Sequence, residues 1–289
     1  MLATMTSSSH LRVFISAVAA CGFVSFAFAQ QTPAPPNPPH ETFFYTSDGL
    51  RLEAYLYKPE GPGPFPLVVY NHGSRAGEER TERPIAFIAR LLLPAGYAVL
   101  VPERRGYGKS EGKTFVEEIG NDRGPRFVAR LDAEAKDALA AVDAVAHQPG
   151  SSIDVTRVAI MGWSFGGIVT TLAASGTDRF RVAIIQAPGA LNWDRSPDLR
   201  SALTAAARKI RVPSACAVAK NDLTTESARS ICETIKKNGT VTDLRIYGPF
   251  TPTQPPAGIP PGHLIFGPEG VSIWSEDALT FLAAHMSRP

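Results

Sequence analysis

Val158-Ala159-Ile160-Met161-Gly162-Trp163-Ser164-Phe165-Gly166-Gly167 carries three signals in one short run. Val158 to Met161 is a continuous apolar stretch of the kind that forms a buried strand, and Ile168 to Ala174 continues with helical character. Between them Gly162-Trp163-Ser164-Phe165-Gly166 supplies a G-x-S-x-G pattern, whose meaning depends on its lying between a strand and a helix. The order strand, tight turn, helix predicts a serine in a strained backbone, its hydroxyl pushed clear of the sheet and the first helical amides aimed toward it. A glycine-rich packing loop would also require Gly166 and Gly167, but it leaves the rest of the chain unexplained.

The flanking sequence extends this into a sheet. Glu41–Tyr45 and Leu50–Tyr57 read as strands joined by Ser47-Asp48-Gly49, a hairpin turn signal. Leu67–Tyr70, Ala98–Val101, Arg181–Gln186, Pro213–Ala219 and Thr242–Tyr247 are further short apolar strands. Helices are expected over Pro84–Leu93, Arg130–Ala146, Thr225–Asn238 and within Gly270–Met286. In the longest, Leu131, Ala135, Ala138, Val142 and Val145 fall on one face, with Asp132, Glu134, Lys136 and Asp137 turned away. Alternating strands and helices predict an α/β fold: a mostly parallel, twisted sheet of about eight strands with helices on both faces. Ligands in such a sheet sit at the carboxyl ends of the strands. The connection after Gln186 has little material for a large lid.

The 289 residues suffice for one large α/β domain, expected over 41–289. Lys and Arg total 29 against 27 Asp and Glu, so no polyanionic partner is implied and nucleic acid has no electrostatic footprint. Residues 1–29 differ in kind. Arg12 precedes an apolar run, Val13 to Ala29, that ends in the small-x-small signal Ala27-Phe28-Ala29, as in a secretory signal peptide cleaved after Ala29. A competing reading takes Val18-Ala19-Ala20-Cys21 as a lipoprotein box with Cys21 as anchor. The signal-peptide reading leaves no stable membrane span and a secreted or periplasmic protein, with residues 30–40 as a Pro-rich leader. Cys216 and Cys232 are then an even pair, either bridged or separately buried.

A serine hydroxyl needs a base, and the base needs an acid to hold its tautomer. His40 lies in the leader, while His147 and His285 fall at helix ends and suit capping or surface roles. His263, in Pro261-Gly262-His263-Leu264 after the last strand, is the expected base. Asp222, in Lys220-Asn221-Asp222 directly after Pro213–Ala219, is the expected acid; its alternative is to cap the following helix. Asp194, Asp198 and Asp243 are weaker candidates. Ser164, Asp222 and His263 run in the chain order that the strand-turn-helix nucleophile requires. The oxyanion donors are expected to be the amide of Phe165 and that of Ser74, after Asn71-His72-Gly73, with the role of His72 itself left open.

Asn71-His72-Gly73, the loop Arg104 to Ser110, Gly162 to Gly167, Asp222 and Gly262-His263 together resemble the α/β-hydrolase superfamily, most nearly its dienelactone-hydrolase-like and prolyl-oligopeptidase-like branches, over about residues 41 to 286. The resemblance implies Ser164, Asp222 and His263 as nucleophile, acid and base, with no cofactor and no metal. Dienelactone hydrolases carry a cysteine nucleophile where this chain has Ser164, and prolyl oligopeptidases carry an N-terminal propeller absent here, so neither substrate transfers. The expected activity is hydrolysis of a small carboxylic ester or lactone. An exopeptidase is the first alternative, with Glu78, Glu79 and Glu82 near the oxyanion loop, and a non-catalytic binding protein the second. Arg75, Arg105 and Trp163 are the candidate substrate-binding residues. Arg75, Arg104 and Arg105 point to an acidic substrate group or, equally, to salt bridges bracing the loops.

Overall fold

In the computed structural model, residues 36–148 and 151–286 are described. The expectations for residues 1–35, signal peptide and Cys21 anchor included, lie outside the described residues. The elements fall within one compact unit, Asn37–Pro289.

The hairpin signal Asp48-Gly49 joins β1 (Glu41–Ser47) to β2 (Leu50–Tyr57), paired antiparallel from Glu41↔Leu56 to Ser47↔Leu50. Both turn residues have positive φ, as a tight hairpin demands. Then come β3 (Phe65–Asn71), α1 (Ala86–Leu92), β4 (Ala98–Glu103), the short α2 (Phe115–Glu118) and α3 (Pro125–Ala146). They are followed by β5 (Ile153–Trp163), α4 (Phe165–Ser175), β6 (Phe180–Gln186), α5 (Pro197–Ala207), β7 (Ser214–Ala219), α6 (Glu226–Lys236), β8 (Thr242–Tyr247) and α7 (Val271–His285). One eight-stranded sheet results, in the order β1-β2-β4-β3-β5-β6-β7-β8. It is antiparallel through β4 and parallel from there on. Residues of β3, β4 and β5 such as Leu67, Val68, Val99, Leu100, Ala159 and Ile160 are fully buried, as expected for strands covered on both faces. Among the described residues no helix is long and apolar enough to cross a membrane.

Two expectations need correction, on α3 and on His263, and the connection after Gln186, expected to hold little material for a lid, adds a helix that the sequence reading does not mark. Glu134 and Asp137 do not face solvent: both are fully buried, because α3 lies over the loop after β4 and that loop brings arginines to meet them. The connection after Gln186 contains α5, capped by Ser196 Oγ on the amide of Leu199 at 3.1 Å and opened by Pro197. With Leu199, Leu203 and Ala207 buried, α5 is a body helix and not a lid. His263 stands in a 3-10 turn, Pro261–Phe266, not in an irregular loop. Cys216 and Cys232 are both buried and unbridged.

Candidate active site

Pairing of β3 with β5 runs to Asn71↔Gly162, so the ends of both strands deliver their loops to one place. Ser164 follows β5 with φ 60 and ψ −117, a conformation rare for a residue with a Cβ and held here by its surroundings. Its amide donates to Gln186 O at 3.0 Å, and its carbonyl starts the α4 ladder by accepting from Ile168 N at 3.1 Å. Gly166 is required by close approach: a Cβ there would collide with the carbonyl of Asn71 and stand 2.8 Å from that of His72. The absence of a side chain lets the loop after β3 lie directly on the start of α4.

His263 Nε2 is 2.9 Å from Ser164 Oγ, and His263 Nδ1 is 2.9 and 3.1 Å from the two carboxylate oxygens of Asp222. Asp222 Oδ1 also accepts from Leu223 N at 2.6 Å. Asp222 does not cap α6; that position belongs to Thr225. The Asp222 turn is braced from below, where Asn221 exchanges two hydrogen bonds with the backbone of Phe250 at 2.8 and 2.9 Å. Gly262 fits against this turn so closely that a Cβ would lie 2.6 Å from Asp222 N. All three side chains are buried, with Ser164 7%, Asp222 9% and His263 3% exposed, so the contacts form where water is largely excluded and their electrostatics are strengthened.

The histidines set aside by the sequence lie elsewhere. His40 packs on Tyr55 and Tyr57, His147 caps α3, and His285 packs at a tilt against Phe281. Asp194 and Asp198 are exposed, and Asp243 pairs with Arg245.

A cavity of about 610 Å³ opens over Ser164, lined on one side by Ser74, Arg75 and Glu78 and on the other by Trp163, Pro256 and Leu264. Trp163, Pro256 and Leu264 also wall a neighbouring apolar recess of about 350 Å³ with Pro252 and Pro268. This size suits a small or medium ligand. The amide of Phe165, as the first helical residue, has no acceptor within α4 and sits at the positive end of the helix dipole. Ser74 lines the same cavity.

The three candidate substrate contacts separate. Trp163 lines the cavity. Arg75 does too, but its guanidinium is turned inward, onto Glu103, Thr81 O at 3.0 Å and His72 Nε2 at 3.3 Å. Arg105 does not reach the cavity: it is tied to Asp137 by bonds of 2.8 and 2.7 Å and to Asp48 at 2.8 Å, which makes it a brace for its loop. Arg104, fully buried, bonds Glu134 at 2.9 Å and the carbonyl of His72 at 2.9 Å. Of the glutamates, Glu79 is buried on the amide of Gly77 and Glu82 pairs with Lys109. Glu78 alone borders the cavity, paired with Arg83. Glu103, Leu191 and Ile259 escaped the sequence reading; the first is a buried partner of Arg75, and the others line the cavity from segments with no periodicity to mark them. Among the described residues no cluster of His, Cys, Asp and Glu is placed to hold a metal ion.

Burial holds His72 well below the usual histidine pKa, helped by the positive charges of Arg104 and Arg75, so its imidazole is neutral. Burial raises the pKa of Glu103, with Arg75 opposing.

A strained serine at the strand-to-helix turn, a histidine on its oxygen and an aspartate on the far nitrogen define the class: a serine-type α/β-hydrolase. The model of the X-Pro dipeptidyl-peptidase (S15) family matches residues 48–240, and the chain belongs to that family. The quorum-quenching protein AidA of Acinetobacter baumannii is 33% identical over 153 residues, 53% of this chain and 45% of that protein. The matched stretches span less than half the length of the curated relatives. Among solved structures, an acylaminoacyl peptidase of Pyrococcus horikoshii superposes with a TM-score of 0.64 at 18% identity, covering 86% of this chain and 42% of that one. An esterase of Pyrococcus furiosus gives 0.59 at 20% identity, covering 86% and 92%. Both likenesses establish the fold.

Proposed function

We propose that the protein hydrolyses a carboxylic ester or lactone through an acyl-enzyme on Ser164. The observation that carries this is the 2.9 Å contact of His263 Nε2 with Ser164 Oγ, backed by Asp222 on Nδ1. As Oγ attacks the carbonyl carbon, its proton passes to Nε2, and the negative charge forming on the carbonyl oxygen is met by the amides of Phe165 and Ser74. The bond to the leaving oxygen then breaks and takes the proton from Nε2. A water next gives a proton to Nε2 while its oxygen attacks the acyl carbon; the acid departs and Oγ recovers its proton. Asp222 holds Nδ1–H and stabilises the imidazolium that forms.

An exopeptidase reading has the family match in its favour. Against it stands the cavity wall: among the described lining residues the one carboxylate is Glu78, which is exposed and paired with Arg83, so no buried acidic pair awaits the free amine of a peptide. Turnover of p-nitrophenyl esters from acetate to laurate and of an X-Pro p-nitroanilide, by wild type and Ser164→Ala, separates the readings. The expected result is ester cleavage peaking at short acyl chains and falling by a factor on the order of 10⁶ in the variant. Faster anilide cleavage would establish the peptidase. No turnover, with no phosphonate labelling of Ser164, would leave a binding protein.

A further inference from the structure

His72, left without a role by the sequence, is the centre of a second chain of hydrogen bonds beneath the site. Its Nδ1 lies 2.7 Å from the carbonyl oxygen of Gly73. A carbonyl only accepts, so Nδ1 carries the proton. The ring is kept neutral by burial, and Nε2 is therefore left with a lone pair; the group facing it at 3.3 Å is Arg75 Nη2, a donor. The same Nη2 is bound to Glu103, which is fully buried at the end of β4. Tyr107 packs edge-on against the imidazole at 4.7 Å and lies under the Arg75 guanidinium at 4.9 Å, which fixes both rings in place. The chain thus reads Glu103, Arg75 Nη2, His72, Gly73 O, each link pairing a donor with an acceptor.

What this chain holds is one peptide plane. The Gly73–Ser74 peptide is trans, so its C=O and N–H point in opposite directions. With the C=O drawn inward onto His72, the N–H of Ser74 is turned outward, on the side where Ser74 shares the cavity with Ser164. The preceding carbonyl, that of His72, is likewise pulled inward by Arg104. Gly73 itself lies against the nucleophile, since a Cβ there would stand 3.4 Å from Ser164 Cβ. A free carbonyl on this loop could rotate toward the cavity and place its oxygen where the developing oxyanion needs a donor.

We propose that His72, Arg75 and Glu103 form a positioning relay that aims the Ser74 amide at the oxyanion, an inference that rests on Ser164 being the nucleophile. On this account Arg75 serves the reaction through the backbone and not by binding an acidic substrate group. None of the three touches the reacting atoms.

The test combines ester kinetics with inhibition by phenylboronic acid, whose adduct with Ser164 carries the oxyanion, and with the rate of labelling by a p-nitrophenyl phosphonate. His72→Ala removes the side chain that, alone among the described residues, bonds Gly73 O. It is expected to lower kcat roughly tenfold to a hundredfold with KM little changed, short of the 10²–10³ lost when a donor is deleted outright. The boronate Ki should rise, and the labelling rate fall, by about the same factor as kcat/KM. A merely structural residue would not give that parallel. Arg75→Lys provides a second reading should His72→Ala fail to fold: one ammonium cannot serve Glu103, Thr81 O and His72 in the same fork geometry, so a loss of roughly threefold to tenfold in kcat is expected. Folded variants with kcat, Ki and labelling rate all within twofold of wild type would overturn the relay, as would a loss confined to KM. Activity surviving in Ser164→Ala would instead overturn the reading of the nucleophile.

Discussion

The indole nitrogen of Trp163 donates to the main-chain carbonyl of His263 at 2.8 Å, so the residue before the proposed nucleophile holds the backbone of the proposed base. The two rings lie 5.6 Å apart, their planes tilted by 43°, at the same corner of the cavity. This bond joins β5 to the 3-10 turn and sets the distance from Nε2 to Oγ, while the Asp222 turn fixes the other side of the ring. Trp163→Phe keeps an aromatic wall and removes the donor. It is expected to lower kcat about tenfold, since a displacement on the order of 1 Å at a reacting pair costs up to about a hundredfold. Stability should fall by only about 1 kcal/mol. Turnover of p-nitrophenyl acetate together with a urea melt checks both, and wild-type kcat in a folded variant would deny Trp163 any positioning part.

Glu134 is the hub of a different network. Its two oxygens accept from Arg104 Nε at 2.9 Å and Arg130 Nε at 3.0 Å, and all three side chains are essentially inaccessible. Arg130 continues to the carbonyls of Arg105 at 2.6 Å and Lys113 at 3.1 Å, so α3 holds both ends of the loop after β4. Glu134→Ala would leave two guanidinium groups buried without their shared counter-charge. A loss of about 3–5 kcal/mol is expected, measured as a lowered urea midpoint at unchanged slope. Arg105→Ala strands the buried Asp137 and should cost stability, but it should leave relative turnover of neutral and carboxylate-bearing esters unaltered.

The sheet was legible because β-branched runs such as Leu67–Tyr70 and Val158–Met161 carry one message wherever they lie: a strand buried on both faces. Ser164 was legible because strand, glycine turn and helix adjoin in sequence. Asp222 and His263 could be nominated by strand order and by elimination, but their meeting at 2.9 Å depends on Asn221 gripping Phe250 and on Gly262 fitting over the turn, long-range matches that no local pattern encodes. The misreading of α3 has a physical cause as well. An amphipathic pattern marks charge as outward unless a partner is known, and the partners of Glu134 and Asp137 come from a loop some thirty residues earlier. α5 was missed although Ser196-Pro197 offered a capping serine followed by a first-turn proline.

Every tyrosine in the chain, Tyr45, Tyr55, Tyr57, Tyr70, Tyr97, Tyr107 and Tyr247, has its pKa raised, with burial the largest cause in each case. Tyr57 is pushed up to about 12. In the unfolded chain these phenols ionise near pH 10, so between there and the folded pKa values the native state binds more protons than the unfolded state does. Stability must then fall as pH rises through that window, and it is fully present below pH 10. Each buried phenol forfeits on the order of 1 kcal/mol between about pH 10 and 11, and several acting together approach the roughly 5–15 kcal/mol that holds a domain folded. Alkaline titration should therefore show little tyrosinate absorbance until the fold gives way, then a cooperative rise coinciding with loss of the far-ultraviolet helical signal. Activity should vanish in the same transition, because Tyr107 packs against His72 and cannot become charged without disturbing the loop that carries Ser74. A gradual rise centred near pH 10, with circular dichroism and turnover intact, would show that the phenols are exposed to solvent and that the burial deduced for them is wrong.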